Sequence, residues 1–507
     1  TMSDPAAAPA ASPVTLRLTA GNDDAAPLYA LLGLPTLPLG LAGPAEAGLA
    51  FDGVMETGGS ARFTFVGEGL DLVFDGEAAL TGGRLAARGE ALVESDDLEP
   101  WLVTAGVALP GFGLGLPATL QGQLDYEAGL LVLSGLRGEV AGAAASGDVN
   151  AQLRDGLPHL TGALAFGSFD LAPVAELVAG AQAFSAPGNG LGGDGWPDAA
   201  FSSSAAMPFT AELDLSAGQL WFGAFAEARE ARMMLKLGRD GISVSDVRAS
   251  MSGGVVSGLA EFRNDAGTGL LSAQLRLDGA DAAALLGDAG LTGAADLTAS
   301  VTASGKSVDG LVAALAGSGT VAMRDIAISG VAPDVFPDLI ARADDVGAGI
   351  DAAAVAAFAP PLVRAGTFGA AGVDIAFTVA GGAVRAPPFR LETQGAALAG
   401  EVEADLSRRT VAAEATLTFD PGHEALAGSE PAVRLSASGP PGAVRVEVDT
   451  GPLAQFLTQR ALELEQQRVE AMQAALVEKQ RLRREARYYA ALAAGREAAA
   501  EEARRAA

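Results

Sequence analysis

Four aspartates stand at matching places along the chain. They are Asp24 in TLRLTAGNDDAAPLYALLG, Asp97 in GEALVESDDLEPWLVTAG, Asp170 in GALAFGSFDLAPVAELVAG and Asp281 in AQLRLDGADAAALLGDAG. Recurring carboxylates could act as general bases or cation ligands. Each of these, however, ends an alternating apolar stretch and precedes a short apolar-periodic one closed by glycine. A helix N-terminus would sit there, with unpaired backbone N–H groups facing the acid. The spacing predicts helix caps rather than a catalytic set, with the closing glycines (Gly33, Gly106, Gly180, Gly290) at positive φ.

Other chemistry-bearing patterns dissolve on inspection. SGKS (Ser304–Ser307) resembles the end of a phosphate-binding loop, but the position that needs the first glycine is Ser300. GNGLGG (Gly188–Gly193) fits a dinucleotide fingerprint, yet neither a strand nor a helix pattern flanks it. The 2 histidines, His159 and His423, fall in different modules, which argues against a shared metal or triad. The pairs Asp23–Asp24, Asp96–Asp97 and Asp344–Asp345 lack the spacing of a calcium loop. With no cysteine, thiolate nucleophiles, disulfides and cysteine metal sites are excluded together. The chain reads as non-enzymatic, with no cofactor and no metal.

The elements around those aspartates carry more information. Arg239–Asp281, Gly381–Pro421 and Ala128–Asp170 each read strand, strand, strand, turn, strand, with RNDAG, LSRR and LRDG as turns. Consecutive strands are therefore expected to be antiparallel neighbours. Their faces alternate. Leu398, Val402, Ala404 and Leu406 oppose Glu401, Glu403 and Asp405; Val411, Leu417 and Phe419 oppose Glu414; Val444 and Val446 oppose Arg445 and Glu447. Leu275 and Leu277 share the apolar face of AQLRLDG.

Composition sets what that face can become. Of 507 residues, 49% are hydrophobic but only 5% aromatic, and 66 are glycine, which suits many thin strands better than one thick core. About 25 strands at ~4.8 Å spacing would make a sheet roughly 120 Å long. The fold class is mainly β: a long, twisted, repetitive antiparallel sheet with short capping helices. Its apolar face could be a filled core or, if the sheet curls, an open trough. The net charge of −29 repels nucleic acid and favours solubility.

Four regions are expected: an N-terminal β-repeat region (1–181), an exposed loop or linker rich in Gly, Ser, Ala and Pro (182–210), a second β region (211–452) and a charged C-terminal helix (453–507). The helix carries 10 basic and 8 acidic residues, leaving −31 for the rest. Leu462, Val469, Met472 and Leu476 form a stripe through which it could dock, and KQRLRREARYY (Lys479–Tyr489) places basic residues beside two tyrosines.

One passage carries a family resemblance. TASGKSVDGLVAALAGSGTVAMRDIAISGV (Thr302–Val331) resembles the C-terminal region of AsmA-family proteins of Gram-negative bacteria, in which a strand turns through G-x-S into a helix and then a strand with D-x-x-I-x-G. Trp196, Pro208 and Leu213 match a second passage of that family. The resemblance covers 162–452 well and 15–161 more loosely, and brings no catalytic residue with it. It implies a sheet curled into a groove, with Leu275, Leu277, Leu398, Val402, Leu406, Val411, Leu417, Phe419, Val444 and Val446 as its lining. It further implies a periplasmic protein held in the inner membrane by an N-terminal helix, which the start TMSDPAAAPAASP does not contain. Its expected partners are phospholipid acyl chains, the inner and outer membranes, and envelope proteins; its expected role is lipid transport in outer-membrane biogenesis. A scaffold for outer-membrane proteins with a closed core is the alternative, and an adhesin-like repeat protein a third.

Overall fold

In the computed structural model, residues 12–31, 36–37, 39–105, 115–184, 195–203, 207, 209–223, 226–287, 290–441 and 443–506 are described. The strands are β1 (Pro13–Asn22), β2 (Ala45–Val54), β3 (Gly58–Gly67), β4 (Leu70–Thr81), β5 (Arg84–Ser95), β6 (Ala118–Glu127), β7 (Leu130–Val140), β8 (Ala143–Arg154), β9 (Leu157–Asp170), β10 (Thr210–Phe222), β11 (Ala226–Leu237) and β12 (Gly241–Met251). They continue as β13 (Gly254–Asp265), β14 (Thr268–Asp281), β15 (Leu291–Gly305), β16 (Ala316–Ser329), β17 (Thr367–Ala380), β18 (Ala383–Arg385), β19 (Phe389–Thr393), β20 (Ala396–Asp405), β21 (Thr410–Phe419), β22 (Ala432–Gly439) and β23 (Arg445–Asp449). All 23 belong to one sheet that curls without closing.

Nearly every strand pairs antiparallel with the next, as the turns predict. The short β18 and β19 share one place beside β20, on either side of Ala386–Pro388, where two prolines interrupt the ladder. The exception is β9–β10, which is parallel. A parallel neighbour must start at the opposite rim, so residues 171–209 have to cross the whole sheet.

Among the described residues, eight α-helices punctuate the sheet: α1 (Ala26–Leu31), α2 (Glu99–Thr104), α3 (Ala172–Ala179), α4 (Ala282–Leu286), α5 (Val308–Ala313), α6 (Phe336–Val346), α7 (Ala352–Arg364) and α8 (Gly451–Ala506). Strand alternation places all but α5 at one rim. The aspartates meet the helix starts as read, Asp281 as the cap residue itself and Asp97 and Asp170 one residue ahead of the caps Leu98 and Leu171. Asp24, Asp97, Asp170 and Asp281 each accept a backbone N–H two residues on, from Ala26 (3.0 Å), Glu99 (2.9 Å), Ala172 (2.9 Å) and Ala283 (2.9 Å). Asp97 and Asp170 also accept from Leu116 and Gly223, tying each helix start to the strand beyond it. Gly180, Gly287 and Gly290 have positive φ; Gly33 and Gly106 lie outside the described residues, as do Gly188–Gly193 and Pro208. Ser307 of the SGKS passage caps α5 by accepting from Gly310 N–H at 3.1 Å.

Glycine fixes the direction of the curl. Within the described strands, every glycine where an added Cβ would fall within 2.4 Å of another atom lies on the apolar face. At the cross-strand pair Gly76–Gly89 such an atom would sit 2.2 Å from Arg88 O or 2.3 Å from Asp75 O. The backbones pinch together on this side, so it is the inside of the bend. Gly317 and Gly319 work the same way. The Gly-Ser-Gly after LVAALA reads as a helix terminator, but α5 ends at Ala313 and both glycines already belong to β16, packed against Ser300 O and Thr298 O.

Bulges add local twist. Those between Leu133 and Leu136 and between Leu277 and Ala280 are each held by an aspartate of the following strand: Asp148 accepts Gly135 N–H (2.8 Å) and Asp296 accepts Gly279 N–H (2.7 Å). The Gly279 hydrogen bond, helped by the neighbouring Arg324, holds the Asp296 carboxyl below its usual range.

Two regions depart from expectation. The stretch 182–210, expected as an exposed loop, buries Ala183, Phe201 and Met207 on the sheet, because the crossover must pass over an apolar surface. The stripe on α8 is not docked: Leu462, Val469, Met472 and Leu476 are exposed, and burial ends at Arg460. There the guanidinium lies between Glu424 (Nη2–Oε1 3.2 Å) and Asp344 (Nη2–Oδ2 3.3 Å). Beyond this anchor the helix projects about 70 Å at 1.5 Å per residue.

Two predictions follow from these contacts. Gly76→Ala should cost about 1–3 kcal/mol by overpacking, whereas Gly369→Ala, on the outer face with nothing within 4 Å of its added Cβ, should be near neutral in denaturant unfolding. Arg460 holds Glu424 below the ordinary glutamate range. Its contribution to α8 docking is therefore complete above pH ~4.3 and is lost as pH falls through the depressed native value. Glu424→Gln should flatten that acid dependence in a pH series of thermal unfolding.

Candidate functional site: an apolar trough

Residues opposite one another in paired strands share a face, so the register can be followed from one edge to the other. Leu16 faces Phe51, then Ala61, Gly76, Gly89 and Leu124. Further on, Val244 faces Ala260, then Ala273, Val301, Gly317 and Val379. Leu398 faces Leu417 and then Val433. All lie on one side of the sheet, which is apolar from β1 to β23.

The other side is polar and cross-linked. Arg62–Asp75 (3.3 Å), Lys236–Glu212 (3.8 Å), Arg385–Glu403 (3.0 Å), Arg434–Asp449 (3.9 Å) and Arg88–Asp125 all join directly opposed residues. Each exposed pair adds little stability. Together they reward a single register.

Curling buries part of the apolar side without help. Phe51, Ala61 and Phe74 are buried in a cluster completed by Leu16, Met55, Phe63, Ala78, Ala87 and Leu124, drawn only from β1–β6 and one turn. Elsewhere helices do the covering. Near one edge Leu28, Tyr29 and Trp101 of α1 and α2 pack on Phe65 and Leu70. At the other, α6, α7 and the base of α8 pack on β16–β23.

The residues expected to line a groove divide accordingly. Leu277, Leu398, Leu417 and Phe419 are buried, the last three in the cluster under α6–α8. Leu275 (44% exposed), Val402 (38%) and Val446 (49%) remain open to solvent. Val411 and Val444 are half-buried, and so is Leu406, in the turn after β20. The ten therefore share one face without sharing one environment.

Between the two ends the described parts of the crossover, 171–184 and 195–203, pack over β10–β14. Asn264 Nδ2 donates to Val178 O and Ser202 O (both 2.8 Å), Phe201 N to Lys306 O (2.8 Å) and Asp309 N to Pro197 O (2.9 Å). Trp196 Nε1 donates to Leu406 O at 2.7 Å. Beneath this roof lies a cavity of about 250 Å³, walled by Leu171, Ala175, Phe184, Trp196, Phe222 and α5 over a floor that includes Ile242, Val244, Ala260, Phe262 and Leu271. Sequence reasoning passed over it. The available signal was the presence of Phe184, Trp196 and Phe201 in a stretch otherwise dense in small residues.

His159 and His423 stay apart, the former bonding Thr210 Oγ1 (2.8 Å) and the latter near Glu424 (3.3 Å). No cluster of three or more metal-ligating side chains occurs among the described residues, and no described helix is long and apolar enough to cross a membrane. Comparison with family models, curated proteins and solved structures finds no match to this chain.

Aspartate substitutions separate the two environments of the apolar face. Leu417→Asp would bury an unpaired charge, and should destabilise the fold on the order of 4 kcal/mol or more. Val402→Asp keeps its carboxylate in water and should leave the thermal midpoint near that of the parent. This divides a pair of positions that the sequence alone presents as equivalent.

Proposed function

We propose that this protein is a non-enzymatic carrier of phospholipid acyl chains, held along the apolar inner face of its curled sheet. The observation that supports this most is the unbroken parity of that face over 23 strands, with stretches that no described helix covers. Each methylene taken from a bilayer needs roughly 0.8 kcal/mol of apolar contact, so a ~16-carbon chain needs on the order of 12 kcal/mol. A wall of Val, Leu, Ala and Phe provides such contact without a head-group site. Its many alanines and glycines leave room that aromatics would fill.

The resemblance to AsmA-family proteins supplies the setting of this proposal: a periplasmic protein moving phospholipid between inner and outer membranes in support of outer-membrane biogenesis, anchored through a part outside this chain. A second reading rests on the buried clusters under the crossover and under α6–α8, which fill the face in two places. In it the protein is a scaffold for envelope proteins, and the apolar side is simply its core.

Photo-crosslinking distinguishes the two. A photoreactive residue at Val402 should capture phospholipid from the native envelope and one at Glu403, on the opposite face, should not; mass spectrometry of the adducts reads the result. Equal capture at both positions, or none at Val402 in a folded chain, would favour the scaffold.

A further inference from the structure

We infer that the cavity beneath the crossover is a fixed binding site for a single alkyl chain, distinct from the open stretches of the trough. The inference rests on the lipid-carrier reading for its choice of ligand and adds a defined location and stoichiometry. Three observations carry it. The lining is apolar almost throughout, with Phe184, Trp196 and Leu311 above and Ile242, Ala260 and Phe262 below. Trp196 has its one polar atom committed to Leu406 O, so it brings no unbonded donor into the lining, and Arg409 lies 5.8 Å from the centre of its ring. The described walls on that side are tied down, Val178 and Ser202 by Asn264, Phe201 to Lys306 and Pro197 by the Asp309 amide, so the space exists before anything enters it.

Size and continuity select the ligand. At ~30 Å³ for a group of methylene size, 250 Å³ holds roughly eight such groups. Glu261 is the one charged residue among those lining the space, so a polar ligand would find little to bond. The floor belongs to the same apolar face that runs on to either side, so the remainder of a longer chain and its head group can stay outside. Preformed apolar pockets of this kind take hydrocarbon readily.

Trp196 supplies the readout. In a chain carrying Trp101→Phe and Trp221→Phe, titration with terminally brominated alkanoates should quench Trp196 emission saturably, at one equivalent per chain. Filling the floor with Ala260→Phe, or separately Val244→Phe, should weaken that quenching at least about tenfold. Should the single-tryptophan chain fail to fold, the unsubstituted protein is titrated instead, and the same two fillings are compared with it. Quenching unaffected by either filling, or no saturable quenching at all, would overturn the site. Phospholipid captured at Val402 without quenching would remove the cavity and leave the trough. Quenching without capture at Val402 would keep the cavity and remove the trough.

Discussion

Side-chain parity is the constraint on which everything else depends. A β-strand shows alternate residues to opposite faces, and a slip of one residue exchanges the faces completely. In this chain the apolar set stays on one side through every pairing, including the parallel β9–β10 step where Leu164 meets Leu215. Bulges threaten that order, because each inserts an extra residue. Those after Leu133 and Leu277 restore it: Leu136 lies opposite Gly147 and Ala280 opposite Ala295, still on the apolar side. Asp148 and Asp296 hold the inserted turns by accepting glycine N–H groups, so the polar face maintains the register of the apolar one.

A sheet with one apolar side must cover it or bend around it. Here the bend is written in glycine. Residues without a Cβ on the inner side let neighbouring backbones approach, and curvature then makes the remaining apolar side chains shield one another, as Phe51, Phe63 and Phe74 do. Helices complete the work where the chain already turns. Aspartate or serine side chains mark the start of six of them: Asp24, Asp97, Asp170 and Asp281 accept the N–H two residues on, and Ser307 and Asp351 the N–H three residues on, at α1–α5 and α7.

Local rules were legible in the sequence, and long-range ones were not. Alternation in AALAGEVEADL and VAAEATLTF gives β20 and β21, their pairing and their apolar face, because a two-residue period and a short turn are local facts. The caps at Asp24, Asp97, Asp170 and Asp281 are equally local. Partners far away in sequence are not. Whether Leu417 is wall or core is decided by Phe336 and Phe456, which reach the same cluster from α6 and α8. The crossover looks like a linker because glycine, serine and proline dominate it, and only the parallel strand beyond it forces it across the sheet. Gly317 and Gly319 mislead for a related reason. Glycine after an alanine-rich helix commonly ends it, and the competing demand, close approach of β15 and Phe377, comes from other strands.

The crossover also bears on how a carrier of this shape would operate. A long uniform wall lets a chain slide, since each step exchanges one set of contacts for an equal one. A roofed compartment at β10–β14 interrupts that equality: contact there surrounds the chain instead of lining one side of it. Surrounding contact binds more tightly and therefore releases more slowly, because more apolar surface must return to water or to the next stretch of wall. In the carrier reading the trough thus has two shallow arms joined at one deeper station. In that reading the bonds from Asn264 to Val178 and Ser202 and from Trp196 to Leu406 would fix the depth of that station, because they hold its walls over the sheet.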